Sequence, residues 1–212
     1  MLAIHLRRSR LSRVVGAKKS ELERRSDILA AAKLVALDGG LETVTARTVA
    51  AEADLSSGLV YFYYQTKNGL LHALLARLLE TTLDGPEDGF GEDLPADVAL
   101  HEMITTELEG LHTQRDEVDL LFQFYFFRRS IDFRDQIDTG LRLYTDAIHP
   151  VTDRFAREHD LDPDAFRSTL VALIQGAAID VVRRPESFSA ANLLQVVAAL
   201  ATSTPRHSED AI

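Results

Sequence analysis

The chain has 212 residues, 46% of them hydrophobic and 26% charged, with no cysteine and a formal net charge of −10. That length supports one sizeable core, or a small domain beside a larger one. The lack of cysteine excludes disulfides, thiol chemistry and cysteine-ligated zinc, and the acidic total taken alone argues against a nucleic-acid partner.

The distribution of charge reverses that last inference. Residues 1–70 hold 11 basic and 7 acidic side chains, a net of +4, so the remainder carries −14. Arg7, Arg8, Arg10, Arg13, Lys18, Lys19, Arg24 and Arg25 crowd the first 25 residues against only Glu21 and Glu23. A positive end is drawn to phosphates whatever their sequence, and an acidic bulk keeps the rest off a duplex. Residues 1–19 show no helical period; this basic arm suits either minor-groove contact or a solubilising tail. No run of apolar residues reads as a membrane span, and the N-terminus lacks the apolar core of a secretory signal, so the expectation is a cytoplasmic protein without membrane contact.

A first helix is predicted over 20–37, with Leu22, Ile28, Leu29, Ala32, Val35 and Ala36 inward and Gly39-Gly40 as its stop. Two short helices follow. The first spans 45–53, capped by Thr45, with Val49 and Ala50 inward. Asp54-Leu55 forms the turn, because Asp tolerates a left-handed backbone. Ser56 caps the second, 57–64, which carries Tyr61-Phe62-Tyr63-Tyr64. Four successive aromatics on a helix cannot all face one core, so some point outward and need a partner. Helix, short turn, helix is the geometry that places a second helix in the DNA major groove. Lys67 opens a fourth helix to 83, with Leu70, Leu71, Leu74, Leu75 and Leu78 as its buried stripe.

Residues 84–95, DGPEDGFGEDLP, form a loop or hinge. A helix is predicted over 96–113, with Pro95 at its start and Leu100, Ile104, Leu108 and Leu111 inward. The next, 117–129, contains LLFQFYFF and is expected at the centre of the body. A long helix over 134–159 carries the stripe Ile137, Leu141, Tyr144, Ile148, Val151 and Phe155, with a kink expected at Pro150. Asp162-Pro163 starts a helix to 183, and a last one is predicted over 189–203. Both are apolar on two faces, so both sides must be covered. No internal repeat is visible.

Within 25–71, Ile28-Leu29 with Ala31-Ala32, then Gly40, Thr45, Val49-Ala50, Ala53, Leu55-Ser56, Gly58, Val60-Tyr61, Tyr63-Tyr64, Lys67 and Leu70-Leu71 stand in a characteristic order and spacing. This stretch resembles the DNA-binding domain of the tetracycline-repressor (TetR) family. Asp54 stands where that family usually has Gly, and Gln65-Thr66-Lys67-Asn68 replaces a more usual Pro-Ser-Lys-Glu. The resemblance implies an all-α fold, with an N-terminal helix-turn-helix domain and a larger helical domain for ligand binding and dimerisation. The expected layout is a basic arm (1–19), a DNA-binding domain (20–67), a connecting helix (68–83), a helical body (84–203) and a polar tail (204–212).

From position on the second short helix, Ser57, Gly58 and Leu59, then Phe62 and Tyr63, should face the groove, with Ser56, Tyr61, Tyr64 and Lys67 suited to phosphate or internal packing. The resemblance implies DNA contacts at Ser57, Leu59, Tyr61, Tyr63 and Lys67, with Thr45 and Arg47 near the backbone. Tyr64 fits better as a core aromatic. The helix has no Arg, Asn or Gln for bidentate base contacts, so recognition would rest on hydroxyls, thymine methyls and DNA shape.

In the body, Gln123, Tyr125, Arg128, Tyr144, His149, Gln175 and Asp180 are polar residues on apolar segments. Each could contact a ligand, or be satisfied in a core or by solvent; the lining suggests a largely apolar effector. Glu109 with His112, and Asp146 with His149, each place a carboxylate and an imidazole on one helix face, but the further inward carboxylates of a di-iron bundle are not evident. No nucleophile elbow, phosphate loop or zinc-protease motif occurs, so no catalytic residue, metal or cofactor is expected. The resemblance implies a homodimer, paired through 163–183 and 189–203, that represses from a palindromic site in double-stranded DNA until a small-molecule effector binds. An activator of the same fold, or an all-helical metal-binding protein, is the alternative.

Overall fold

The computed structural model describes residues 19–83, 91, 93–127, 131–186, 189, 191–192 and 194–195. Its described helices are α1 (Glu21–Gly39), α2 (Ala46–Glu52), α3 (Ser57–Tyr64), α4 (Lys67–Leu83), α5 (Ala96–Thr113), α6 (Arg115–Phe126), α7 (Ile131–Glu158) and α8 (Pro163–Arg183), with a 3-10 turn at Leu41–Thr43. Among the described residues the fold is all-α.

Local chemistry sets these boundaries. Ser20 and Glu23 form a reciprocal capping box at the start of α1, and the backbone bond from Ser20 holds the Glu23 carboxyl below its usual value. Gly40, at φ +80°, ends that helix in a conformation that favours glycine. Thr45 and Thr48 cap α2 in the same reciprocal way. Ser56 accepts from the Leu59 N–H at 3.2 Å to cap α3. Asp54 takes the expected left-handed φ, +51°, in the turn between them. Leu22 departs from expectation: it is 79% exposed.

The junction of α3 with α4 is tighter than the sequence suggests. Gln65 adopts φ +58° and the Thr66 N–H donates to the Tyr64 carbonyl at 2.6 Å, a γ-turn. Proline, usual at this point in the resembling family, cannot reach that φ. A Cβ on Gly69 would lie 2.4 Å from the same carbonyl oxygen, so only glycine lets α4 begin here.

Packing resolves into two hydrophobic clusters. The first gathers α1 to α4 around Ile28, Val49, Val60, Leu71 and Leu75, and closes with Leu120 and Phe124 of α6 and Phe133 and Ile137 of α7. The run LLFQFYFF was expected at the centre of the body. Leu120 and Phe124 instead seal the first cluster, while Phe126 is 70% exposed. The ring of Phe133 meets Phe124 edge-on at 5.3 Å and lies 4.4 Å from His72 on α4. His72 Nδ1 and Gln136 Oε1 are 2.9 Å apart, and Lys33 of α1 pairs with Glu117 of α6. The second cluster joins α5, the C-terminal half of α7 and α8 through Leu100, Met103, Ile104, Leu108, Tyr144, Ile148, Val151, Phe155, Leu170 and Ile174.

Every predicted stripe residue of α7 faces a core, and Pro150 lies within the helix without ending it. α8 is the exception to the membrane expectation. By length and composition alone it could cross a bilayer, yet only 28% of its apolar window is buried within the protomer. Leu170, Ile174, Ala177, Ala178 and Val181 pack inward, while Ala172, Gln175, Gly176 and Ile179 are exposed. Of the last predicted helix, residues 191–192 and 194–195 are helical and Leu194 packs on the second cluster; the rest lies outside the described residues. So do most of the basic arm, the loop at 84–90 and the polar tail.

Candidate nucleic-acid interface and effector site

The helix-turn-helix is anchored from behind and open in front. Val60 and Tyr64 are the buried residues of α3. The Tyr64 hydroxyl donates to the Arg25 carbonyl at 3.3 Å, and burial pushes its pKa up against the opposing pull of the Arg25 guanidinium. That guanidinium lies 5.4 Å from the Tyr63 ring centre and 5.7 Å from that of Tyr64. Tyr64 is thus a core aromatic, as its position suggested.

The other singled-out residues divide by exposure. Arg47, Ser56, Ser57, Gly58, Tyr61 and Phe62 are exposed, with Tyr61 at 60% and Phe62 at 75%; Thr45, Leu59, Tyr63 and Lys67 are half-buried. The Thr45 and Ser56 hydroxyls are already engaged as helix caps. Gly58 has nothing within 4 Å of where a Cβ would sit. The fold therefore does not require glycine there, although glycine costs an exposed helix about 0.5–1 kcal/mol relative to alanine. Thr45, Tyr61, Thr66 and Lys67 line one niche of about 170 Å3 between α2, α3 and the start of α4. Lys67 Nζ donates to the Glu42 carbonyl at 2.5 Å, which fixes its amine at the mouth of the head.

The body candidates do not converge. Gln123 donates to Asp119 on its own helix at 3.0 Å. Tyr125 is exposed, with the Arg134 guanidinium 6.0 Å from its ring centre. His149 lies at the surface and pairs with Asp153 at 2.9 Å; Gln175 is exposed; Asp180 pairs with Arg184. Arg128 lies outside the described residues. Among the described candidates only Tyr144 is buried, at 6% exposure, and its hydroxyl meets Glu107 of α5. Glu109 and His112 are exposed, and no cluster of three or more His, Asp or Glu suited to a metal occurs among the described residues.

Sequence reasoning missed Glu107. It lies half-buried on α5, four residues from both Met103 and Leu111, so it interrupts the apolar stripe that packs on α7. Burial raises its pKa, against a weaker opposing hydrogen bond from the Tyr144 hydroxyl. Burial, with the Glu107 charge adding to it, raises Tyr144 far above the usual tyrosine value. A glutamate inside an otherwise apolar i, i+4 row was the available signal.

Comparison with known proteins agrees with this geometry. The family of bacterial regulatory proteins described as tetR matches residues 28–74. The HTH-type transcriptional regulator PksA of Bacillus subtilis (strain 168) is 31% identical over 170 residues, covering 77% of this chain and 80% of that protein. Solved structures share the fold at lower identity. A TetR transcription regulator from Haloarcula marismortui ATCC 43049 superposes with a TM-score of 0.73 at 21% identity, covering 86% of this chain and 98% of that one. The regulator FadR from Bacillus subtilis, in complex with stearoyl-CoA, gives 0.68 at 18%, covering 84% and 97%. A transcriptional regulator from Saccharomonospora viridis in complex with choline gives 0.71 at 20%, covering 87% and 98%. With its helix-turn-helix at α2 and α3 and a helical body behind it, this chain belongs to the tetR family of bacterial transcriptional regulators.

Proposed function

We propose that the protein is a homodimeric repressor that leaves a palindromic operator when a small molecule enters its body. The observation that carries the DNA half is the outward row of α3. Ser57, Gly58, Tyr61 and Phe62 are exposed on a helix whose back is locked by Val60 and Tyr64. Gly58 keeps a helix-destabilising residue where the fold leaves open space, which suits close approach of a base edge. The niche of Thr45, Tyr61, Thr66 and Lys67 suits a backbone phosphate, and Arg47 lies exposed on α2 beside it. The aromatic hydroxyls and the Leu59 side chain would read shape and thymine methyls.

The uncovered side of α8 supports a dimer, because a mostly apolar helix left unburied in the protomer needs a second surface. Two heads on a two-fold axis would enter successive major grooves about 34–36 Å apart. The effector would act through α4. Gly140 on α7 sits against Leu79 and Leu83, and Gln136 bonds both to the His72 ring and to its carbonyl. A ligand that prefers a different α4–α7 arrangement would shift the spacing of the heads in proportion to that preference. Regulators of the same fold hold stearoyl-CoA and choline, which agrees with a body that accepts small molecules. The protein would work in the cytoplasm, where its DNA is.

Selection of sheared genomic DNA on the purified protein at physiological salt tests the reading. An enriched palindrome is expected; salt-sensitive binding with no enriched sequence would overturn it. Crosslinking the two heads at the DNA-competent spacing should abolish release by the effector.

A further inference from the structure

We infer that Gln65, at the end of α3, is a further DNA-contacting residue, whose side-chain amide donates to a backbone phosphate at the rim of the groove that α3 enters. This deepens the proposed DNA-binding role and rests on it. Gln65 adopts φ +58° and ψ −43°, the positive-φ form of the γ-turn, which is rare and strained. The other described non-glycine residues with positive φ are Asp54 and Asp160. Asp tolerates that region because its short side chain can bond locally; the longer glutamine lacks that compensation. Gln65 is exposed, and its side chain has no hydrogen-bond partner among the described residues. The fold therefore favours glycine at 65 and gains nothing from the side chain that stands there. Gly58 is the converse, a glycine where the fold leaves open space. Both depart from what folding favours, and both are exposed on the DNA-facing helix or at its end. Strain held where the protein itself does not use it points to a contact outside the protomer.

Position selects a phosphate over a base. The exposed row Ser57, Gly58, Tyr61 and Phe62 continues at three- and four-residue spacing to position 65. The 8 residues of α3 span about 12 Å, close to the width of the major groove. With its first turn on base edges, the far end of the helix reaches the rim, where the phosphates run. Gln65 lines the same niche as Thr45, Tyr61, Thr66 and Lys67. The Lys67 amine, held by the Glu42 carbonyl, brings that niche a positive charge. An amide N–H adds a directed donor without adding charge, and a bond to an ionised acceptor is stronger than one between neutral groups.

The test is fluorescence anisotropy of the full chain over a salt series, with a labelled duplex of mixed sequence and, beside it, the palindrome enriched from genomic DNA. Gln65→Gly should weaken binding to both about tenfold. Its salt slope should match the parent's, because a neutral amide releases no counter-ion. The variant should melt no lower than the parent, since glycine takes a positive φ freely, which separates a lost contact from a lost fold. Gln65→Glu, of the same length at the same φ, should bind more weakly still, through repulsion of its carboxylate by the phosphate. Equal affinity of parent and Gln65→Gly, or a Gln65→Glu variant as tight as the parent, overturns the inference and leaves the DNA-binding reading standing. A loss confined to particular base pairs of the palindrome makes Gln65 a base reader and overturns the phosphate contact. A parent that binds neither duplex overturns the inference together with the reading it rests on.

Discussion

The two hydrophobic clusters are finished to different degrees. In the first, the polar atoms that enter are satisfied: Tyr64 bonds Arg25, His72 bonds Gln136, and Thr45 and Ser56 are spent on caps. In the second, Glu107 and Tyr144 meet inside otherwise apolar stripes, Glu107 has no counter-ion among the described residues, and one side of α8 is exposed. A satisfied core makes a rigid platform, as suits a surface that must present fixed side chains to a groove.

The largest expected effect would come from the bare side of α8. Ile179→Asp should split the proposed dimer in sedimentation velocity. Because two linked heads bind with an effective concentration that single heads lack, operator affinity should fall by about 10^2 or more; a variant that stays dimeric would break the comparison at its weaker end. Next, Phe124→Ala should cost about 3–5 kcal/mol. Since Phe124 packs with the helices of the head, thermal melting should show loss of the head as well as of α6. Leu108→Ala, in the second cluster, should cost about 2–5 kcal/mol while changing DNA binding less.

Smaller effects sharpen the platform. Lys67→Ala should weaken binding to all duplexes alike and lower the salt slope by about one. Gly58→Ala should separate fold from function: α3 gains about 0.5–1 kcal/mol by denaturant melting, while operator affinity drops. If affinity were unchanged, Gly58 would not approach DNA. The subtlest concerns pH. Burial raises the Glu107 pKa, so the folded state holds a proton there that the unfolded chain has already lost. Its contribution is fully present below the unfolded value of about 4.5 and is lost as pH rises through the folded value. Glu107→Gln should flatten that slope in urea melts measured across this range.

Much of the head was legible in sequence because its signals are local. Thr45, Ser56 and Asp54 each act on backbone atoms within a few residues, and the leucine stripe of α4 needs only its own period. The γ-turn at Gln65 escaped notice, since a positive φ at a non-glycine residue is fixed by the packing of Gly69 on the Tyr64 carbonyl. The body was less legible. LLFQFYFF is visibly apolar, but which core Phe124 enters depends on where α6 lies against α1 and α4. Among the described polar body candidates only Tyr144 is buried, because whether a polar residue meets solvent or a neighbour is set by the helix opposite.

The sequence by itself determined the helices, their caps, the turn at Asp54 and the family, because each depends on short-range periodicity and backbone hydrogen bonding. Tertiary structure alone decided that α6 seals the head, that α8 keeps an open face, and that Glu107 meets Tyr144. Those are relations between residues distant in the chain, and no local pattern encodes which two helix faces will meet.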